Sequence, residues 1–161
     1  AQSNLSFILP NFYTDQSSDR YFSVSETDLL RIDGLFNARG WPFRGGGASL
    51  WNNWIELRQP ISEQVIWWDT FIEAATLQAV GSDWSERQRL SEARLEDWQF
   101  SAGTGIRFVI PQFPIRLYLA KRWQYDENGN IEWQTGNLFN GGDLDSGRGL
   151  DLVFTIGAEF F

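Results

Sequence analysis

The sequence predicts an all-β fold, an antiparallel meander of the kind that forms a transmembrane β-barrel. Three observations predict it. Apolar and polar residues alternate along several segments, the connections between these segments are alternately short and long, and aromatic residues make up 16% of the 161 residues. Alternation with a period of two places successive side chains on opposite faces of a strand. Strands of about ten such residues, with aromatic residues near their ends, are typical of membrane barrels.

The alternation predicts five strands, and it is less regular in the first two of them. They lie at 49–58, 65–77, 98–110, 115–125 and 150–160, with short candidates at 5–8 and 21–24. In 98–110 the even-numbered positions are mostly apolar and the odd-numbered positions mostly polar or glycine. In 115–125 the odd-numbered positions are apolar except for Lys121. Each strand is therefore expected to have one apolar and one polar face.

The connections differ in length in a regular way. Tight turns that contain proline are predicted at 59–63 and 111–114, and long polar loops at 80–97 and 126–148. In the first long loop, Asp83 precedes Glu86 by three residues, which resembles a capping box and predicts a short helix. In the second, Asn128-Gly129 predicts a hairpin turn that extends two strands beyond their neighbours. Short turns at one end of the strands and long loops at the other are typical of outer-membrane barrels.

The composition excludes several classes of function. Thirteen Lys and Arg against twenty-one Asp and Glu give a net charge of −8, which does not favour a nucleic-acid partner. The chain contains no Cys and no His, so disulfides, thiolate or imidazole metal sites and the commonest general base are lacking. We therefore expect no cofactor, no metal and no enzymatic activity. Ala1 opens a polar stretch without a signal core, so we expect a processed chain or one cut from something longer.

Period-two alternation alone leaves two alternatives open. A soluble β-sandwich would bury the same apolar face against a second sheet, and exposed Trp residues could then stack on sugars, as in a carbohydrate-binding module. Carboxylates could also form a glycosidase pair, for which the candidates are Glu56, Asp69, Glu73 and Asp151. Their spacing does not support such a pair. Aromatic residues near strand ends are equally typical of the girdle of a membrane barrel, so other residues must distinguish these folds.

Five short motifs follow one another from about residue 27 to the end of the chain. They are A-R-G-W at 38–41, E-L-R-Q-P at 56–60, F-I-E-A-A at 71–75, F-S-A-G-T-G-I-R at 100–107 and F-T-I-G-A-E-F-F at 154–161. In order and spacing they resemble the motifs of the BamA-like family of outer-membrane assembly barrels. The resemblance covers more than four-fifths of the chain. It implies a bacterial outer-membrane protein that folds and inserts other β-barrel proteins, without ATP or a metal.

The first motif resembles the (V/I)-R-G-(F/Y) motif of a loop that folds into the barrel lumen in this family. The resemblance implies that Arg39, Gly40 and Trp41 form this motif within a lumen loop at 27–47. A loop arginine inside a barrel is partly removed from water, so it needs carboxylate partners, and its planar fork can accept two. Glu56 and Glu73 are the candidates.

Glu56 and Glu73 lie on the predicted inner faces of adjacent strands, and Phe71 shares the face of Glu73. An arginine held by two strand carboxylates would latch the loop to the barrel wall. The family usually has Asp where this chain has Glu73, and Gly where it has Ala75, so the contact is expected to shift by about one methylene group.

The end of the chain resembles the terminal β-signal of this family. The residues that form the signal and the seam are Phe154, Ile156, Gly157, Phe160 and Phe161. In the family, the last strand pairs weakly with the first, and the seam between them opens to template an incoming strand. We expect Gly157, within the last strand, to weaken its pairing further because glycine has no side chain to pack.

The resemblance also implies the organisation and partners of the chain. Residues 1–161 would be the C-terminal portion of an outer-membrane barrel domain, with the lumen loop at 27–47 and the last five strands at 48–161. The implied partners are outer-membrane lipid, nascent outer-membrane proteins, the rest of the barrel, its periplasmic POTRA domains and accessory lipoproteins. About eight strands form the smallest barrel, so the chain would be one piece of a longer protein, one of a pair of chains, or a small passive barrel.

Overall fold

The computed structural model describes residues 1–8, 29–62, 65–79, 90–110 and 113–157. Over these residues the protein forms one sheet of eight strands. The strands are β1 (Gln2–Phe7), β2 (Leu30–Ile32), β3 (Arg44–Ser62), β4 (Ile66–Ala79), β5 (Trp98–Phe108), β6 (Ile115–Tyr125), β7 (Ile131–Trp133) and β8 (Asp151–Ile156). In this part of the chain no helix is long and apolar enough to cross a membrane.

The sheet is an antiparallel meander. Its strands follow the order β1-β3-β4-β5-β6, with the short β2 paired to the start of β3. Strand β6 carries two partners along one edge: β7 at Trp123–Tyr125 and β8 at Ile115–Ala120. The pairing of β4 with β5 runs without a break from Ile66↔Phe108 to Thr76↔Trp98. Each long strand from β3 to β6 therefore pairs with its neighbour in sequence, as a barrel wall requires.

The buried face of the sheet is polar and its exposed face is apolar, which is the reverse of the arrangement in a soluble protein. Buried positions include charged side chains such as Asp69, which is fully buried, and Glu73, which is 2% exposed. The outer face carries exposed apolar side chains, with Ile55 61%, Leu57 63% and Phe154 51% exposed. A soluble sandwich would bury these apolar side chains, whereas a lipid-facing wall exposes them. The structure thus disagrees with the sandwich alternative and agrees with a membrane wall.

Aromatic side chains form a band at the end of the sheet that carries the long loops. The distance between ring centroids is 5.2 Å for the pair Trp51 and Trp98, 5.6 Å for Phe100 and Trp123, and 5.6 Å for Trp123 and Trp133. The band crosses β3, β5, β6 and β7 on the outer face. Aromatic side chains in this position form the girdle that borders the hydrocarbon region of a membrane.

The predicted strands are present, with some changes in their bounds. The predictions at 98–110, 115–125 and 150–160 correspond to β5, β6 and β8, and those at 49–58 and 65–77 to β3 and β4, which are both longer. The candidate at 5–8 corresponds to β1, while the candidate at 21–24 lies outside the described residues. At 27–47, where a loop was predicted, β2 pairs with the first residues of β3, so the loop proper is 33–43.

The predicted turn at 59–63 is wrong in position. Gln59–Ser62 belongs to β3, and Pro60 pairs with Trp67. Proline is tolerated here because β1 pairs with β3 only as far as Trp54, so within the described residues the rest of β3 has a partner on one side only. The ladder shifts register between Pro60 and Ser62, and the chain then turns, with the Val65 N–H donating to the Ser62 carbonyl at 3.1 Å.

The two long loops differ from each other in how well they were predicted. The expected start of a helix at Asp83 lies outside the described residues, and the part that is described forms two single 3-10 turns, Leu90–Glu92 and Leu95–Asp97. The Asn128-Gly129 hairpin is confirmed, because β6 and β7 pair on either side of it and Gly129 adopts a φ of +81°. This left-handed conformation is the one that glycine allows at low cost.

Candidate functional site

The 33–43 loop, which connects β2 to β3, is built on a tight turn at Asp33. Its Oδ1 atom accepts hydrogen bonds from the backbone N–H groups of residues 35–37, and the Asp33 N–H donates to the side chain of Asn37. Asp and Asn favour such turns because their short side chains bond to nearby backbone groups. Gly34, with a φ of +70°, approaches the Trp41 carbonyl so closely that a Cβ would lie 1.9 Å from its oxygen. The chain thus reverses and lies on the polar face of the sheet.

Glu73 of β4 binds the tip of this loop. Its carboxylate accepts the Ala38 N–H at 2.8 Å, the Arg39 N–H at 3.2 Å and the Arg39 Nε–H at 3.0 Å. Ala38 adopts a positive φ of 47°, which points both backbone N–H groups toward the carboxylate. Charge-assisted hydrogen bonds of this kind are about twice as strong as neutral ones. One buried carboxylate therefore fixes both the backbone and the side chain of the loop.

The Arg39 guanidinium is enclosed on three sides. Its Nη1 donates to Glu56 of β3 at 2.9 Å, and its Cζ lies 3.6 Å from the centre of the Phe71 ring and 5.3 Å from that of Tyr118. Burial alone would lower the pKa of Arg39, but the two carboxylates outweigh that effect and raise it. The side chain remains a cation at 6% exposure, which such partners make possible.

A second arginine extends this cluster along the inner face. Arg107 of β5 donates through Nη2 to Glu56 at 2.7 Å and through Nε to Asp69 at 2.7 Å. The Tyr118 hydroxyl also donates to Asp69, at 2.8 Å, and Arg58 donates to Glu56. Three carboxylates thus meet three guanidinium groups from the loop, β3, β4 and β5, and Tyr118 of β6 adds a hydroxyl. Each carboxylate binds an arginine, an arrangement that fastens strands and loop together and does not present a glycosidase pair to a substrate.

The other half of the motif contacts a different part of the sheet. Gly40, with a φ of +87°, packs so closely on β6 and β8 that a Cβ would lie 3.2 Å from the Ala120 Cβ and 3.4 Å from the Asp151 Cβ. The Trp41 indole N–H donates to the Phe100 carbonyl of β5 at 3.0 Å. Glycine is needed at this position both for its backbone conformation and for the close approach. Trp41 replaces the Phe or Tyr of the resembled motif and gains this hydrogen bond.

Arg122 and Asp151 form an ion pair beneath Trp41. Arg122 donates to both oxygens of Asp151, at 2.6 Å and 3.3 Å, and its Cζ lies 5.3 Å from the centre of the Trp41 ring. Asp151 also accepts the N–H of Asn137 at 3.2 Å, while Arg122 donates to the Thr135 carbonyl at 2.9 Å. The pair therefore joins β6, β8 and the start of the last long loop.

Comparison with known proteins identifies the family of this chain. The Omp85 superfamily domain matches residues 24–139, which is well over half of the sequence. The chain belongs to the Omp85 superfamily. It is similar to a protein of Treponema pallidum (strain Nichols) named "Putative outer membrane protein assembly factor", with 30% identity over 143 residues. That alignment covers 73% of this chain and 17% of the relative, and no solved structure matches significantly.

Membership of the Omp85 superfamily agrees with the fold and places the chain in the bacterial outer membrane. The inverted sheet, with charged side chains inside and apolar ones outside, is the wall that an Omp85 barrel exposes to lipid. The 33–43 loop lies on the charged face of this wall. The chain spans only 17% of the length of its Treponema relative, so it corresponds to a part of that protein.

The structure brings together the predicted residues of the Omp85 loop site. Arg39 contacts Glu56, Glu73 and Phe71, while Gly40 and Trp41 contact β5, β6 and β8. Glu73 binds two backbone N–H groups of the loop as well as the side chain of Arg39.

The terminal residues are placed less completely. Phe154 and Ile156 lie on the outer face of β8, at 51% and 56% exposure, and Phe160 and Phe161 lie outside the described residues. Gly157 was expected within the last strand, but β8 ends at Ile156. Gly157 has a φ of +126°, and its N–H donates to the Pro114 carbonyl at 3.1 Å, which ties the end of β8 to the turn before β6.

The sequence analysis did not predict that Arg107 and Tyr118 belong to the site. It named Asp69 only as a candidate for a glycosidase pair. A signal for them was present in the glycines of β5. A Cβ on Gly103 would lie 2.8 Å from the Phe71 ring, and one on Gly105 would lie 2.5 Å from the Tyr118 ring. Two glycines on the inner parity of a strand therefore mark the place where neighbouring aromatic side chains cross it.

Proposed function

We propose that this chain acts in the assembly of outer-membrane proteins, as the C-terminal part of a barrel that inserts other β-barrel proteins. The observation that carries the proposal is the attachment of the lumen loop, in which Arg39 is held between Glu73 and Glu56 on the charged inner wall. The Omp85 match and the name of the Treponema relative support the same role. In this role the A-R-G-W segment latches the loop to the wall, and the residues that it binds are Glu56, Glu73 and Phe71.

The latch gives the barrel wall a fixed inner surface near its last strands. Strands β3 to β6 all contribute side chains to the cluster around Arg39, so the loop holds them in one register. Strand β8 gives no charged side chain to that cluster in the described residues. It meets the cluster through Val153, which is buried with Phe71 and Tyr118, and it pairs with β6 over six residues only. We infer a rigid wall next to a strand that is more easily separated, which suits a seam that opens.

At such a seam, β8 would template the incoming strand of a client protein. An exposed strand edge presents unpaired N–H and C=O groups, and a client strand can satisfy them by β-augmentation. Phe154 and Ile156 face outward, so the edge is bordered by apolar side chains that a lipid-inserted client can contact. In this proposal the terminal β-signal lies at the seam.

In this proposal client barrels are inserted by strand exchange and lipid contact, so the chain is not an enzyme and needs no cofactor. Its proposed partners are outer-membrane lipid, nascent outer-membrane proteins and the remaining strands of its own barrel. POTRA domains and accessory lipoproteins complete the assembly in this proposal. Nucleic acid is not among the partners, in keeping with the net charge of −8.

Reconstitution tests this proposal. The full-length protein is placed in lipid vesicles, and folding of an unfolded outer-membrane protein is followed by its protection from protease. Arg39→Ala should slow client folding severalfold or more, while Arg44→Ala, a change at an exposed arginine of β3, should leave it unchanged. Client folding at the same rate with native protein and with empty vesicles would overturn the assembly role and favour a small passive barrel.

A further inference from the structure

The 33–43 loop touches the sheet at two separate places. At the first, Arg39 binds Glu56 of β3 and Glu73 of β4. The second is the surface under Gly40 and Trp41 on β5, β6 and β8. The second place includes Asp151, the first residue of the last described strand, which pairs with Ala120. The loop is thus in direct contact with the strand at the seam.

We propose that Arg122 and Asp151 form a second attachment for the loop, which makes the seating of Gly40 and Trp41 depend on the pairing of β8 with β6. The proposal rests on the proposed placement of β8 at the seam. Both side chains are buried, at 8% and 3% exposure, and both oxygens of Asp151 accept hydrogen bonds from Arg122. They are positioning residues, since they act on the loop through Trp41 and Gly40.

The contacts link the loop and the strand through shared atoms. If β8 separates from β6 at its first residue, Asp151 withdraws its carboxylate from Arg122 and its Cβ from the surface on which Gly40 rests. Arg122 is then a buried cation that has lost its anionic partner, so it leaves its position under Trp41 to reach water. Opening of the strand therefore loosens this end of the loop.

The same linkage must act in the opposite direction. Two events that share a free energy of coupling affect each other equally, so unseating Trp41 must weaken the pairing of β8. The hydrogen bonds of the Arg39 cluster do not use these atoms, since they join the loop, β3, β4, β5 and β6. Strand β8 meets that cluster through an apolar side chain, Val153, which is buried with Phe71 and Tyr118. When the seam opens, the loop would thus stay attached at Arg39. Its attachment at Gly40 and Trp41 would form only while the seam is closed.

Hydrogen exchange with residue resolution tests this coupling in the full-length protein in lipid. The Gly40 and Trp41 amides are suitable probes, since both donate hydrogen bonds within the loop, and the 151–156 amides report on β8. Asp151→Asn should speed exchange about tenfold at both sets of amides, because a neutral hydrogen bond to Arg122 holds the two parts together less strongly than a charged one. Trp41→Leu should do the same at 151–156. Asp145→Asn, an exposed change in the preceding loop, is the matched control and should change neither.

Either of two results would overturn the proposal: that Asp151→Asn speeds exchange in β8 alone, or that Trp41→Leu speeds exchange in the loop alone. If Trp41→Leu prevents folding, Trp41→Phe removes the indole N–H and keeps an aromatic ring, and the same two outcomes apply. The readout involves no client protein. Absence of coupling in a protein that still folds clients would refute only this inference, whereas coupling in a protein that folds none would refute only the assembly role.

Discussion

Replacing Arg39 by alanine is the perturbation that bears most directly on the loop attachment. The change removes two charged hydrogen bonds, to Glu73 at 3.0 Å and to Glu56 at 2.9 Å, and uncovers the Phe71 ring. Breaking a buried ion pair by removing one partner costs about 3–5 kcal/mol, because a charge is left without compensation.

The structure indicates the lower end of that range. Glu56 keeps Arg107 and Arg58 as partners, and Glu73 keeps the N–H groups of the loop backbone. Neither carboxylate is left wholly unpaired, so we expect a loss of about 3 kcal/mol of unfolding free energy. Arg44, which is exposed, provides the matched control, and its replacement by alanine should change stability by less than about 0.5 kcal/mol.

Urea unfolding of the full-length protein in lipid vesicles measures this difference. With a denaturant dependence of about 1–3 kcal/mol per molar urea, a loss of this size moves the midpoint by roughly 1 M or more. The midpoint for Arg44→Ala should stay at the native value. Equal midpoints for the two variants would refute the idea that the Arg39 cluster holds the loop against the wall.

Four further substitutions, one of them with a matched control, test neighbouring features by the same unfolding assay. Tyr118→Phe should lower the free energy of unfolding by about 1 kcal/mol, because it removes one hydrogen bond to a carboxylate. Arg107→Ala should lower it by about 3 kcal/mol or more. Equal losses for the two variants would contradict the proposed network. Gly105→Ala should destabilise by about 1–3 kcal/mol, because its Cβ would lie 2.1 Å from a carbonyl oxygen of β6, whereas Gly45→Ala has room and should be neutral. Leu57→Arg, on the outer face, should cost about 2–4 kcal/mol in lipid, and a neutral result would contradict a lipid-facing position.

The faces of the strands could be predicted from sequence because the period of two fixes them independently of register. Glu56, Phe71 and Glu73 were placed on the inner face by parity alone, and the structure puts all three around Arg39. The inner position of Arg39 followed from the resemblance of its motif. Parity and one motif were thus sufficient for the central contact.

The remaining contacts depend on register, which parity does not determine. Asp69 and Tyr118 meet because both lie opposite Gly105, in the pairings Asp69↔Gly105 and Gly105↔Tyr118. A shift of two residues would preserve every face and separate them. The position of the first turn was wrong for a related reason: Pro60 resembles a turn residue in sequence, yet it is tolerated in a strand with one paired side.

Lipid quenching at single cysteines most directly tests the assignment of the two faces, on which the inner position of the loop depends. This chain contains no cysteine, so a fluorescent label can be placed at one chosen position at a time. In vesicles of brominated lipid, labels at the outer positions Leu57 and Phe154 should be strongly quenched. Labels at the inner positions Gln99 and Ser101 should not be quenched. Equal quenching on both faces, or stronger quenching at Gln99 and Ser101, would contradict a lipid-facing wall with the Arg39 loop inside it.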